Sequence, residues 1–262
     1  MMSRTVAIML VTAGLLAGLG AAAAAGTVIG TEGSDTLTGT PQPDQLYGEA
    51  GDDMISGLEG NDYLEAGTGS DRVQGGPGAD LVIGGTGDDF TDAGPGADVV
   101  YSGAGMDTAF GGSGADTLFG QSGDDRLYGG GGDDRVYASG GDDLVDGGSG
   151  SDRITADGGN ATILGGAGKD VILASGGNAK VRGGSGRDRI RTGGGADEVS
   201  GGSGSDGIAT GAGDDTLDTR DGRRDRVQCG PGTDTVQADP SDLLRDCENV
   251  RGNSRRARRR SR

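Results

Sequence analysis

Histidine and tryptophan are absent from this chain of 262 residues, and cysteine occurs only as Cys229 and Cys247. Five tyrosines and three phenylalanines bring the aromatic content to just 3%. Without histidine the chain lacks the most frequent general base and the most frequent ligand for softer metals. So few large apolar side chains exclude an ordinary globular core. Basic residues are also scarce where it matters. All 41 acidic residues lie between Glu32 and Glu248, while residues 26–250 hold only 15 of the 23 basic ones, giving that segment a net charge of -26 against -18 for the whole chain. Glycine, at 60 residues, is the one type in excess. A segment so glycine-rich and self-repelling would be disordered on composition alone.

Periodicity argues otherwise. Gly111–Phe119, GGSGADTLF, is one copy of a nine-residue unit that starts at Gly30 and keeps phase without insertion to Asp218; after the extra residue Thr219, the copies Arg220–Gln228 and Cys229–Gln237 follow. Nearly every copy has Asp at its sixth position and Leu, Ile or Val at its eighth. Glycine at positions one, two and four permits positive φ and lets carbonyls turn inward on a small space. The strand that follows is about three residues long and can bury one aliphatic side chain, such as Leu118, Leu127 or Val136. That yields roughly 1.5–3 kcal/mol, whereas ordering nine residues costs roughly 1–2 kcal/mol each. Something more must hold the loops. Carboxylates and main-chain carbonyls are the available donors, and they suit a hard cation such as calcium.

The unit resembles the repeat G-G-x-G-x-D-x-U-x of the RTX (repeats-in-toxin) calcium-binding family, also called hemolysin-type calcium-binding repeats. The resemblance spans residues 30–237. It implies an all-β fold, a right-handed parallel β-roll with two nonapeptides per turn. It also implies multiple Ca2+ ions, each between loops on one side of the roll and held by loop carbonyls and the position-six Asp. An 18-residue turn is independently visible in the chain: copies starting at Gly147, Gly165, Gly183 and Gly201 open with Gly-Gly, while those between them do not.

The turn sorts the aspartates into two columns. One runs Asp35, Asp53, Asp71, Asp89, Asp107, Asp125, Asp143, meets Ala161 and Ala179, and resumes at Asp197 and Asp215. The other runs Asp44, Asp62, Asp80, Asp98, Asp116, Asp134, Asp152, Asp170, Asp188 and Asp206 without a gap. All except Asp44 are taken as candidate calcium ligands. Ala161 and Ala179 predict a calcium-poor patch with up to three adjacent sites lost or weakened. Asn160 and Asn178 sit one position early and could partly substitute, although a one-residue shift usually redirects a side chain. Lys169, Lys180, Arg182, Arg187, Arg189 and Arg191 are expected to gather at the same patch and offset the missing cation charge.

Tyr101, Phe110, Phe119, Tyr128 and Tyr137 occupy position nine, next to the inward position eight, and so should face out. They are expected to stack as a ladder, Tyr101–Phe119–Tyr137 on one sheet and Phe110–Tyr128 on the other; a docking surface is the alternative. No Thr-x-Thr ladder recurs at 18-residue spacing, which counts against an ice-binding face.

The ends differ from the middle. Residues 1–25 combine Arg4, an apolar run from Val6 to Leu19 and Ala23-Ala24-Ala25, the layout of a signal peptide cleaved after Ala25, and glycines and alanines make the run a poor membrane anchor. No later segment is apolar enough to span a bilayer. The mature chain is therefore expected to be secreted and extracellular, with no transmembrane segment. Residues 238–250 leave the repeat and are expected to cap the last rung, with Cys229 and Cys247 joined in a disulfide, as an exported protein allows. Residues 251–262 form a basic, disordered tail suited to anionic cell-wall polymer or a cell surface, with no specific nucleic-acid recognition. Relatives in the family often attach such repeats to a catalytic or pore-forming domain, and this chain leaves no room for one. An uncleaved C-terminal export signal, usual in the family, is replaced here by the arginine-rich end. The reading is a non-enzymatic calcium-binding module, extracellular or wall-associated, that folds on binding Ca2+. A calcium-stiffened adhesin using the aromatic strip or the tail is the second possibility.

Overall fold

The computed structural model describes residues 25–252. The signal-like start up to residue 24 and the tail from residue 253 lie outside the described residues.

Each nonapeptide supplies one short strand, and strands two copies apart pair in parallel with a register of 18 residues: Thr117, Leu118 and Phe119 face Arg135, Val136 and Tyr137. Alternate copies therefore build two 13-stranded parallel sheets. Sheet A opens at Thr27–Ile29 and sheet B at Thr36–Thr38. The chain is a parallel β-solenoid. In its interior, position eight of every rung is buried, from Leu37 and Leu46 to Val227 and Val236. This row, one residue per rung, makes up most of the core, and small residues such as Ala66, Ala93, Ala138 and Ala156 at position one fill in beside it.

The loops show why glycine recurs, with one correction. Positive φ falls mainly at positions two and four, as at Gly112 (φ 103°) and Gly114 (φ 136°), with Gly158 and Gly222 at position three as exceptions, and position-one Gly111 does not adopt it. A Cβ on Gly114 would lie 1.4 Å from the Gly96 carbonyl oxygen of the preceding turn, so stacking itself demands glycine there. Three copies break the rule: Glu49, Leu58 and Gln121 hold φ of 77°, 77° and 74° at position two. A left-handed conformation costs an L-residue roughly 1–2 kcal/mol, part of which glycine gives back as unfolded-chain entropy. Leu58 is 40% exposed, so little burial would be lost. Leu58→Gly should therefore stabilise the roll by about 0.5–1 kcal/mol, measured as a higher denaturant midpoint.

The position-nine aromatics stack as expected. Tyr101 and Phe119 lie 4.7 Å apart at 4°, Phe119 and Tyr137 4.9 Å at 8°, and Phe110 and Tyr128 4.6 Å at 8°. Their ring faces are largely covered by one another. Phe90, at position seven of its copy, extends the second stack by tilting onto Phe110 at 5.7 Å and takes the Arg72 guanidinium over its ring at 4.1 Å.

At the C-terminal end Thr219 is fully buried, and its hydroxyl donates to an Asp242 carboxylate oxygen at 2.9 Å. The extra residue lengthens the register to 19, as in Gly207↔Arg226. Residues beyond 237 still add a strand to each sheet, Leu243–Arg245 and Asn249–Arg251. Cys229 and Cys247 are joined, closing an 18-residue separation over these last rungs. Replacing both by Ser should cost about 3 kcal/mol by the chain-entropy account. Hydrogen exchange should then rise first in residues 226–251.

Candidate metal centre

The loops line the two long edges of the roll. Edge A feeds sheet A and holds the aspartate column from Asp44 to Asp206; edge B feeds sheet B and holds the column from Asp35 to Asp215. Within each column the carboxylates are linked turn to turn. From Asp44 onward, the Oδ1 of each Asp accepts the backbone N–H of the residue 18 positions earlier, as in Asp98 N to Asp116 Oδ1 at 2.8 Å and Asp116 N to Asp134 Oδ1 at 2.8 Å. The other oxygen is different. Oδ2 is buried and has no partner in Asp53, Asp62, Asp71, Asp80, Asp89, Asp98, Asp107, Asp116, Asp125, Asp134, Asp143, Asp152, Asp170, Asp188, Asp197, Asp206 and Asp215. Native proteins leave few buried polar atoms unpaired, so a repeated orphan calls for a cause.

The sequence-based candidate Asp35 does not share this environment. Its Oδ2 accepts from the Thr31 N–H at 2.6 Å and the Thr31 hydroxyl at 2.9 Å. Asp44 is held likewise by Thr40, with the N–H at 2.5 Å and the hydroxyl at 2.8 Å. The first loop on each edge thus closes on itself through threonine at position two. Two further residues do share it: Asp225 and Asp234 are buried, with unpartnered Oδ2 atoms. Their signal was present at the sixth position of the last two copies, obscured by the Thr219 phase shift and the degenerate Arg220–Gln228 unit.

No counter-charge sits beside these carboxylates. The ion pairs among the described residues are Lys180–Glu198 at 2.9 Å and Arg220–Asp218 at 2.7 Å, both on the surface. Burial therefore pushes the aspartates above the usual carboxylate range, and neighbouring aspartates add to the shift. Asp80, Asp134 and Asp206 reach about 6. Asp89, Asp98, Asp125, Asp152 and Asp225 reach about 7, burial being the largest cause in each case.

Main-chain oxygens complete the donor set. A Cβ on Gly111 would lie 2.6 Å from the Gly129 carbonyl oxygen and 2.7 Å from Asp116 Oδ2, so both oxygens crowd the space at position one. Among the described residues no three acidic, histidine or cysteine side chains cluster as a metal group. Any cation here is held by few carboxylates and many carbonyls. All-oxygen, anionic and carbonyl-rich donors fit calcium; each ion would be held by an orphaned Oδ2 with adjacent loop carbonyls and would supply the missing positive charge.

Edge B is interrupted. Ala161 and Ala179 are buried where Asp is expected, and no carboxylate from the next turn reaches the N–H of Asp143 or Ala161. The ladder resumes with Ala179 N to Asp197 Oδ1 at 2.8 Å. Asn160 and Asn178 do not fill the gap. They belong to a separate exposed ladder at position five, in which Asn160 Oδ1 accepts from Asn178 N at 2.9 Å and Asn178 Oδ1 from Ala196 N at 2.7 Å. The expected gathering of positive charge at this patch is also corrected. Lys180 and Arg182 flank Ala179 in sheet B, but Arg189 and Arg191 lie in sheet A, and Lys169 and Arg187 lie in the loops of edge A. A turn of two strands separates residues that are close in sequence.

Oxygen-lined loops stacked along both edges define a calcium-binding β-solenoid. The model of the RTX calcium-binding nonapeptide repeat (4 copies) matches overlapping segments from residue 29 to residue 217, and the chain belongs to that family. Among solved structures it is similar to a hyperactive, Ca2+-dependent, β-helical antifreeze protein from an Antarctic bacterium. The TM-score is 0.58 at 20% identity, covering 81% of this chain and 84% of that one. No curated protein matches the chain.

Proposed function

We propose that this is a secreted protein whose roll winds when Ca2+ binds, serving outside the cell as a structural or wall-associated module without catalytic activity. The buried, unpartnered Oδ2 atoms along both edges carry the reading, because unpaired buried carboxylates oppose folding until a cation arrives. Free energy of binding then becomes free energy of folding. Scarce calcium inside the cell would keep the chain unwound for export, and plentiful calcium outside would wind it. Circular dichroism of the full chain, stripped of metal and then titrated with Ca2+, tests this. The β signal should emerge with calcium, and a β signal indifferent to chelator would refute the coupling.

The sites are proposed to follow the orphaned oxygens, Asp53 to Asp234, with fewer ions on edge B between Asp143 and Asp197. Full occupancy between the loops at 158 and 176 in a calcium-bound crystal would exclude the gap. The ice activity of the structural neighbour is not carried over, since among the described strands only Thr36–Thr38 presents Thr-x-Thr outward. The aromatic strip gives no support to an adhesin, its ring faces being turned on each other.

A further inference from the structure

The outward faces of the two sheets differ in charge, and nothing in calcium binding accounts for it. From Arg135–Ala138 to Leu243–Arg245, sheet A has seven strands that each present two outward side chains. Six of the fourteen are arginine, namely Arg135, Arg153, Arg189, Arg191, Arg226 and Arg245, and none is acidic. This occurs in a segment of net charge -26. Sheet B over the same rungs presents Asp146, Glu198 and Asp218 among its outward residues, and the described ion pairs, Lys180–Glu198 and Arg220–Asp218, lie there or at its corner. None of the six guanidinium groups makes a hydrogen bond or ion pair among the described residues.

A groove of about 780 Å³ crosses this face. Its floor is the strand Gly207–Ala209, whose outward residues, Gly207 and Ala209, are the smallest pair on the sheet. Arg189 and Arg191 wall one side, and Arg226 with Arg245 the other. The flanking strands stand two spacings apart, about 10 Å, which admits one unbranched chain. Leu243, 44% exposed, lines the same groove. Leu173, 40% exposed, stands on the strand beyond the Arg191 wall.

We propose that the basic half of sheet A binds an acidic polysaccharide, with one chain of uronate sugars seated over Gly207 and Ala209. A pyranose ring has an apolar C–H face, which matches Ala209 and Leu243, and a carboxylate at its rim, which guanidinium groups take in a two-pronged hydrogen bond. Single-stranded nucleic acid would need open aromatic faces for its bases, and no aromatic residue lines the groove. A duplex is wider than the groove. The proposal does not rest on coupled folding, because it is tested with calcium present throughout.

The test is fluorescence anisotropy of a labelled galacturonate hexamer with the full chain in saturating calcium, the C-terminal tail being retained in every variant. Arg189→Gln/Arg191→Gln/Arg226→Gln should weaken binding by at least about tenfold, and so should raised salt, since exposed charges are screened. Gly207→Thr fills the groove without changing charge and should weaken binding comparably. Its backbone is not in the left-handed region, and the nearest atom to a Cβ there is the Asp188 carbonyl oxygen at 3.9 Å, so the substitution fits. Arg72→Gln on sheet B should leave binding unchanged. Circular dichroism confirms that each variant is wound. Equal binding by wild type and the triple variant, equal binding of neutral maltohexaose, or stronger binding of polyphosphate or phosphatidylserine vesicles than of the uronate would each overturn the proposal.

Discussion

Replacing Asp116 with Asn is expected to move stability in opposite directions according to whether calcium is present. The amide oxygen can keep the hydrogen bond that Asp116 Oδ1 accepts from the Asp98 N–H at 2.8 Å. What disappears is the charge on the second, orphaned oxygen. In metal-free protein a neutral amide removes a buried carboxylate that burial already drives toward protonation. The gain should be about 1 kcal/mol, because a buried charge is exchanged for a neutral amide whose nitrogen can donate to the loop carbonyls. In calcium the same change removes a ligand and a neutralising charge, so the midpoint should fall and the ion count should drop by one or two. Asp116→Ala, lacking the Oδ1 acceptor as well, should lose stability in both conditions. Urea melts of the three proteins in calcium, the β signal of each in metal-free buffer, and isothermal titration decide the matter. An Asn variant weakened in metal-free buffer would show that the carboxylate is held by something other than an awaited cation.

The pH dependence should likewise invert. Without calcium, Asp80, Asp134 and Asp206 at about 6 and Asp89, Asp98, Asp125, Asp152 and Asp225 at about 7 bind protons in the folded state that the unfolded chain, with carboxylates near 3.8, has released. The folded state therefore holds more protons between about pH 4 and 7, and stability falls as pH rises through that window. The metal-stripped chain, unwound at pH 8, should therefore regain β signal in circular dichroism as the pH is lowered to 5. Calcium needs the ionised form, so protons compete with it and calcium-loaded protein should melt lower at pH 5 than at pH 8. Circular dichroism of the metal-stripped chain and scanning calorimetry of the calcium-loaded one across the range read the two slopes. Parallel slopes would mean that the aspartates are not the calcium ligands.

The repeating fold was legible because its period was unbroken. Phase at positions six and eight placed Leu118 inside, Asp116 in a loop and Phe119 outside before any coordinate was known, and the alternation of Gly-Gly openings set the 18-residue turn. Local exceptions were not legible. Asp35 and Asp53 occupy the same position of successive turns, but only the first has a threonine at position two to satisfy it. Asp225 keeps the sixth position past a one-residue insertion, in a degenerate copy, and only its buried, unpartnered Oδ2 marks it as a member of the column. The basic residues from Lys169 to Arg191 formed one group along the chain, yet they are spread over two sheets and an edge, because consecutive copies alternate between opposite faces. The Arg-lined groove of sheet A emerges only when every second strand is placed side by side.

The missing aspartates at 161 and 179 leave edge A as a continuous rail and edge B as one cut near its middle. A rod supported by two rails, one of them cut, does not resist bending equally. Flexure should concentrate between Asp143 and Asp197, opening edge B while edge A serves as the pivot, so the molecule has both a preferred place and a preferred direction in which to yield.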